Sequence, residues 1–341
     1  MKKAARGGIE LWAVDIEPQI KLIAPDVAIL WQAAQSKSQA CYVNKTINKE
    51  SYERPSNIDY VFIVTPDEYH SEIAEFWLNR LAPKGKIFIE KPLDAFIRSA
   101  LKLGQIIKEA NRDDVVFVYD HYLAKVYPFL QDKSNLDQIG KIERIKFHIL
   151  ESSPIPLNRA KTLNKGVIFD LFGHILALTG AFIERNLAPS KSILQRVKLR
   201  EVKAARYYDC PIAGETLSQI KFTLDDTEVI SLMGKGVAQD DKVMIVYGTN
   251  GMLKLDFLNN VSLVFNRQGQ QRSPGELNPR HVESFLEEII DKDKQPISIP
   301  GVLDFEAGIE TLAILDEAKI RIEKIVDYHA GVSIDSILER L

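Results

Sequence analysis

Cysteine is nearly absent: Cys41 and Cys210 are the only two in 341 residues. Two cannot build a disulfide framework, and neither belongs to a C-x-x-C or Cys/His cluster of the kind that holds zinc. The chain is therefore expected to be cytoplasmic, in a reducing compartment, and without a metal. A basic excess is missing too. Lys and Arg number 44 against 47 Asp and Glu, a net charge of −3, so nothing in the composition neutralises a phosphate backbone and no nucleic-acid partner is expected. No stretch reaches the roughly eighteen apolar residues of a membrane span. The basic N-terminus, MKKAARGGIELWAVD, meets Glu10 and Asp15 before it can form the apolar core of a signal peptide. The remainder is ordinary globular composition, 45% hydrophobic and 27% charged, at a length that predicts about two domains.

The first half alternates two periods. Short apolar runs at 9–16, 58–65, 86–90 and 114–119 read as buried strands, being rich in Val, Ile and Phe and closed by Pro or charge. Between them, residues 68–81 place Ile73, Phe76, Trp77 and Leu81 on one helical face, and residues 95–110 do the same with Phe96, Ala100, Leu103 and Ile107. Alternating strand and helix implies right-handed crossovers and a mainly parallel sheet. In the second half strands crowd together, at 141–150, 216–222, 227–233, 242–247, 252–256 and 261–265. Asp225-Asp226 and Asn250-Gly251 supply the turns. Helices are expected at 279–291 and 304–325. The pattern is α/β for the first half and α+β, with a large, mostly antiparallel open sheet, for the second. The polar stretch LQDKSNLDQIGK marks the boundary, giving domains at 1–125 and 126–341.

Ligands of an open parallel sheet bind beyond the carboxyl ends of its strands. Those ends carry Asp15, Thr65-Pro66, Glu90-Lys91-Pro92 and Asp120-His121. Each has a plain reading, Asp15 as a helix cap and Lys91 as a surface lysine. Asp170 and His174 stand four apart in IFDLFGHILALTG, whose apolar residues recur as a helix, so both are expected on one face. A core histidine bonded by Asp170 is the plain alternative there. Chemically, imidazole titrates near working pH and can take the proton of a hydroxyl oxygen. A neighbouring lysine can stabilise charge on the same oxygen.

VFIVTPDEYHSEIAE followed by KIFIEKPLDAF resembles the dinucleotide-binding domain of the Gfo/Idh/MocA oxidoreductase family. The likeness continues through KGVIFDLFGHILALTG, VYGTNGMLKLD and VESFLEEII, and spans roughly 9–322. It implies a Rossmann-type first domain, NAD or NADP as cofactor, and a sugar, polyol or sugar derivative as small-molecule substrate. It implies catalysis by His174 as base with Lys91 and Asp170, the latter contacting a substrate hydroxyl or orienting the histidine. Cofactor contacts would come from Asp15, Thr65, Pro66, His70, Glu90 and Lys91. A homo-oligomer, dimer or tetramer, would form through the open face of the second sheet. A second likeness overlaps: DHYLAK at 120–125 is similar to the Asp-His-Tyr-Leu-Gly-Lys signature of glucose-6-phosphate dehydrogenases, with Ala124 in place of the glycine. It implies that Asp120 pairs with the catalytic histidine and that His121 and Lys125 hold a substrate phosphate.

One element of the pattern is missing. G-x-G-x-x-G, whose N–H groups receive the pyrophosphate at a helix N-terminus, does not occur where it belongs; Gly7-Gly8 and Gly234-Lys235-Gly236 do not supply it. Residues 9–16 instead resemble the family's second strand. The parallel sheet is thus expected to be truncated at its N-terminal end by about 25–30 residues, the length of one strand and most of a helix. Either the recorded start lies downstream of the true one, which is the expectation adopted here, or the chain is a remnant that binds sugar without working on it. Asp15 would accept from a ribose 2′-OH and repel a 2′-phosphate, which favours NAD.

Overall fold

A computed structural model describes residues 57–132, 134–152, 165–208, 214–237, 239–271, 275–290, 295–329 and 332–340. The strand expected at 9–16, and Asp15 with it, lies outside those residues.

Two sheets organise the described residues. The first holds β1 (Ile58–Ile63), β2 (Leu81–Glu90) and β3 (Val116–Tyr119) in parallel, and β12 (Val302–Asp304) antiparallel to β3 at its border. Helices α1 (His70–Leu78) and α2 (Ile97–Glu109) make the crossovers. Ala100, Leu103 and Ile107 are the buried stripe of α2, as their spacing predicts. Phe96 is not part of that helix; it is the half-exposed N-cap residue. Leu81 opens β2 rather than closing α1, because the helix ends at Asn79 and the Arg80 carbonyl already accepts from the Ile58 N–H of β1. β2 accordingly starts five residues before Lys86. After β3 the chain enters α3 (His121–Gln131), for which Asp120 is the N-cap, its Oδ1 accepting from the Leu123 N–H at 2.9 Å. The 125/126 division falls inside this helix.

The second sheet has nine strands: β4 (Ile142–Ser152), β5 (Val197–Tyr207), β6 (Leu217–Leu224), β7 (Thr227–Val237), β8 (Asp241–Gly248), β9 (Gly251–Asp256), β10 (Val261–Asn266), β11 (Gly275–Glu276) and β13 (Ile325–Tyr328). Their spatial order is β11-β10-β9-β8-β4-β7-β6-β5-β13. Pairing is antiparallel except between β4 and β7 and between β5 and β13. Asp225 takes a left-handed φ of 52° in the β6–β7 turn, and Gly248 faces Gly251 across the Thr249-Asn250 turn. One face of this sheet, carrying Ile145, Phe147 and Ile149, is sealed by α4 (Gly173–Glu184), which contributes Ile175, Leu178 and Phe182, and by α6 (Phe305–Ile320).

The parallel sheet is covered on both sides. Val116 and Val118 face the main core, where Gly308 of α6 approaches so closely that a Cβ there would lie 2.7 Å from Val118 Cγ2. Phe88 and Phe117 face the other way, toward Phe285 and Ile289 of α5 (His281–Ile290). Phe285 stacks on Tyr119 at 4.1 Å and meets Phe88 edge-on at 5.4 Å.

Candidate active site

The three parallel strands release their chain on one side, and the polar residues follow directly. Val64, Thr65 and Pro66 come after β1, Lys91 and Pro92 after β2, and Asp120 after β3. The His70 ring ties the first two loops together: Nε2 lies 2.7 Å from the Thr65 carbonyl and Nδ1 lies 2.9 Å from the Pro92 carbonyl. Beyond these ends opens a cleft of about 250 Å³, lined by Thr65, Pro66, His70, Glu90, Lys91 and Asp170, with Asp67, Lys165 and Phe169 completing the wall.

Asp170 enters on a π-helical turn, Ile168–Phe172, that leads into α4. This turn changes the phase of the expected helix. Asp170 and His174 are four apart in sequence but do not meet. Asp170 lines the cleft, whereas His174 is 1% exposed and is not among the residues that line it. Lys91 spans the gap from the first sheet. Its Nζ donates to the Asp170 carbonyl and lies 3.7 Å from Oδ1. Asp170 Oδ2 lies 2.5 Å from Lys235 Nζ. Burial opposes ionisation of Asp170, but the Lys91 and Lys235 ammoniums outweigh it and hold the carboxyl well below the usual carboxylate range.

The carboxylate that bonds His174 is Asp120. His174 Nδ1 lies 2.8 Å from Asp120 Oδ2, and both side chains are almost wholly buried. A carboxylate accepts only, so Nδ1 carries the hydrogen and Nε2 is the basic nitrogen. Burial would raise the Asp120 carboxyl, yet the imidazole and its hydrogen bond, together with the Leu123 N–H, hold it well below its ordinary value. Burial pushes His174 down; the Asp120 charge partly offsets this, and Lys91 adds to the lowering. His174 is thus a neutral imidazole beside an ionised carboxylate. A second, much smaller space of about 20 Å³ lies between Lys91, Asp120 and Gly173.

His121 packs edge-on against His174 with ring centres 4.5 Å apart, and burial together with His174 keeps it well below its ordinary pKa. Lys125 donates to the Phe257 carbonyl at 3.3 Å. Burial and then Lys242 lower it. Four neighbours of the site were not anticipated from the sequence. Lys165 places its ammonium 4.0 Å from the Phe96 ring centre and 4.3 Å from that of Phe169. Asp67, raised by burial, faces the same cleft. His281 lies 6.1 Å from His121, ring to ring. Lys235 carried one available signal: it has the parity of the buried residues Val229, Ser231 and Met233. Among the described residues no group of three or more His, Cys, Asp or Glu is placed to hold a metal ion.

The cleft has the chemistry of a nicotinamide nucleotide site. It lies outside the carboxyl ends of parallel strands. Thr65 Oγ1, on its wall, is buried with no hydrogen-bond partner, the sort of orphaned group a ribose hydroxyl or carboxamide satisfies. Fold and site together define a pyridine-nucleotide oxidoreductase built on two sheets. Residues 18–119 match the family described as "Oxidoreductase family, NAD-binding Rossmann fold", GFO_IDH_MocA. That match places the NAD-binding part of the family's pattern in residues 18–119, and the chain is an NAD(P)-dependent oxidoreductase. No curated protein sequence matches the chain. Among solved structures, the UDP-N-acetylglucosamine 3-dehydrogenase GnnA from Acidithiobacillus ferrooxidans superposes with a TM-score of 0.63 at 18% identity, covering 92% of this chain and 97% of that one. KijD10, a 3-ketoreductase from Actinomadura kijaniata solved with NADP and TDP-benzene, gives 0.57 at 14% identity, covering 80% and 79%. Both are likenesses of fold. No described helix is long and apolar enough to cross a membrane.

Proposed function

We propose that the protein interconverts a carbinol and a carbonyl carbon on a sugar, polyol or sugar derivative. The observation that carries this reading is the meeting of Lys91 and Asp170 on one cleft, with the His174–Asp120 pair immediately beside Lys91. The structural neighbours include a dehydrogenase of a nucleotide sugar, which supports a sugar derivative as the substrate class.

In the oxidising direction His174 Nε2 takes the hydroxyl proton through an intervening water, its ring lying behind the cleft wall, while Asp120 stabilises the imidazolium that results. The Lys91 ammonium donates to the same oxygen as negative charge develops on it. Asp170 presents Oδ1 to a neighbouring hydroxyl and fixes the sugar ring. His121, packed edge-on against His174, and Lys125 receive the remote end of the substrate, phosphorylated or not. A bound nicotinamide ring supplies or accepts the hydride. Thr65, Pro66, His70, Glu90 and Lys91 hold its ribose and carboxamide, and Asp15 reads the adenosine ribose in favour of NAD.

The test has two stages. Titrating NADH and NADPH fluorescence with the chain measures binding and the preference between them. A panel of free sugars, sugar phosphates and nucleotide sugars is then screened for turnover. Lys91→Ala and His174→Gln should each lower kcat by about 10³-fold or more while leaving the fold intact. Turnover surviving in both variants overturns the assignment of the base and the lysine. A folded chain that binds a sugar but neither nucleotide favours the other reading, a sugar-binding protein without catalysis.

A further inference from the structure

Lys235 lies where lysine is seldom found, on the inward face of a sheet strand and 1% exposed. Alternation along β7 puts it there, since Val229, Ser231, Met233 and Lys235 share the face that packs toward the helices. Its register partner on β4 is Glu151, whose Oε2 lies 3.1 Å from Lys235 Nζ. Glu151 is held from its other oxygen by Lys242 at 2.8 Å. The strand register slips immediately after this pair, and Gly236 takes a φ of 70°, so the ladder bulges where Lys235 leaves it for Asp170 and resumes at Ser152 and Val237. Charges of opposite sign thus alternate along Lys242, Glu151, Lys235, Asp170 and Lys91, from the sheet to the cleft.

The reaction proposed above makes no use of Lys235, yet an ammonium buried this deeply is costly unless it is paired. Its pairing has a directional consequence. Asp170 has two oxygens and two ammoniums within reach: Oδ2 is buried, makes no hydrogen bond and lies in ion-pair contact with Lys235 Nζ at 2.5 Å, while Oδ1 stays 3.7 Å from Lys91 Nζ, which donates to the Asp170 carbonyl. The charged and titratable groups that bear on Asp170 are Lys91 after β2, Lys235 on β7, His174 on α4 and Asp67 after β1. Only the first two are cations in ion-pair contact, so the removal of one surrenders the carboxylate to the other.

We propose that Lys235 is a positioning residue: by engaging Asp170 Oδ2 it prevents the carboxylate from closing on Lys91, and so leaves the Lys91 ammonium available to the occupant of the cleft. This rests on the reading of Lys91 given above and deepens it.

Competitive acylation with acetic anhydride, read lysine by lysine through peptide mass spectrometry, reports how free each amine is and needs neither cofactor nor substrate. Lys235→Met is close in volume and leaves Glu151 paired with Lys242. In that variant Lys91 should be acylated about tenfold more slowly, the effect of one carboxylate moving into full contact. In Lys235→Met with Asp170→Asn the rate should return to within about twofold of the parent, since no carboxylate remains to close on the amine. Lys235→Gln, which keeps a donor for Asp170 without the charge, should give an intermediate slowing and serves if the methionine variant does not fold by circular dichroism. A merely structural lysine gives the opposite sign, because loosening the site exposes Lys91 and speeds its acylation. Unchanged or faster labelling of Lys91 in the folded single variants overturns the proposal. Slower labelling in a chain that binds no nicotinamide nucleotide would leave it standing and overturn the oxidoreductase reading alone.

Discussion

His174 is bonded by Asp120, fifty-four residues upstream, and the proposed reaction uses it as a base on that account. Asp120→Asn keeps the shape but removes the charge that fixes the proton on Nδ1, and should cost about 10²–10⁴ in kcat. The pH profile should move as well. A base works unprotonated, so activity rises as pH passes upward through the His174 value. Burial already lowers that value and Asp120 partly restores it; without the carboxylate the acid limb shifts to lower pH. A limb that stays in place in the residual activity of Asp120→Asn would show that His174 is not the group being titrated. The sequence placed Lys91, Asp170 and His174 on the list, together with Asp120. It also offered Asp170 as a partner for the histidine, on the strength of a four-residue spacing. Spacing fixes a face only while the helix keeps its period, and nothing in IFDLFGHI distinguishes an α turn from a π turn.

Elements show the same division. The strands whose apolar runs are continuous, β1 to β3 and most of the second sheet, are legible because burial on one or both faces writes itself into the sequence. β5 was not, since VKLREVKAARY alternates Lys, Arg and Glu with small or apolar residues and lacks any run. α3 hid behind a polar stretch that begins only at its last turn. β12 is three residues long and takes its meaning from its partner, β3. Where α6 crosses β3, contact decides more than propensity. Alanine in place of a mid-helix glycine ordinarily stabilises by about 1 kcal/mol. At Gly308 the added Cβ would sit 2.7 Å from the buried Val118 Cγ2, and overpacking costs about 1–3 kcal/mol. Gly308→Ala should therefore destabilise by about 1 kcal/mol, read as a lower urea midpoint at an unchanged slope; a higher midpoint would mean the helix can move away at no cost.

At the scale of the molecule, the buried charges make stability depend on acid. His174 and His121 are both held below their ordinary value by burial. For such groups the unfolded chain takes up a proton first, so their contribution is complete above about pH 6.5 and is lost as pH falls below it. Asp120 is held low by His174 and its hydrogen bond together with the Leu123 N–H, and Asp170 by the Lys91 and Lys235 ammoniums. Their contribution is complete above about pH 4 and is lost beneath it. Thermal unfolding followed from pH 8 downward should show Tm nearly level, then declining below about pH 6.5 and more steeply below about pH 4. A Tm that stays level or rises down to pH 5 would contradict the neutral, buried imidazoles.

The parallel sheet carries a strand, β12, that the ribosome makes some 180 residues after β3, and its aromatic face is closed by a side chain, Phe285, from the same late stretch. The nucleotide-binding half is therefore no cassette that could be cut out, transplanted or finished early in synthesis. Until Phe285 has emerged, Phe88 and Phe117 lack the side chain that closes over them, and the two sheets reach their final form together.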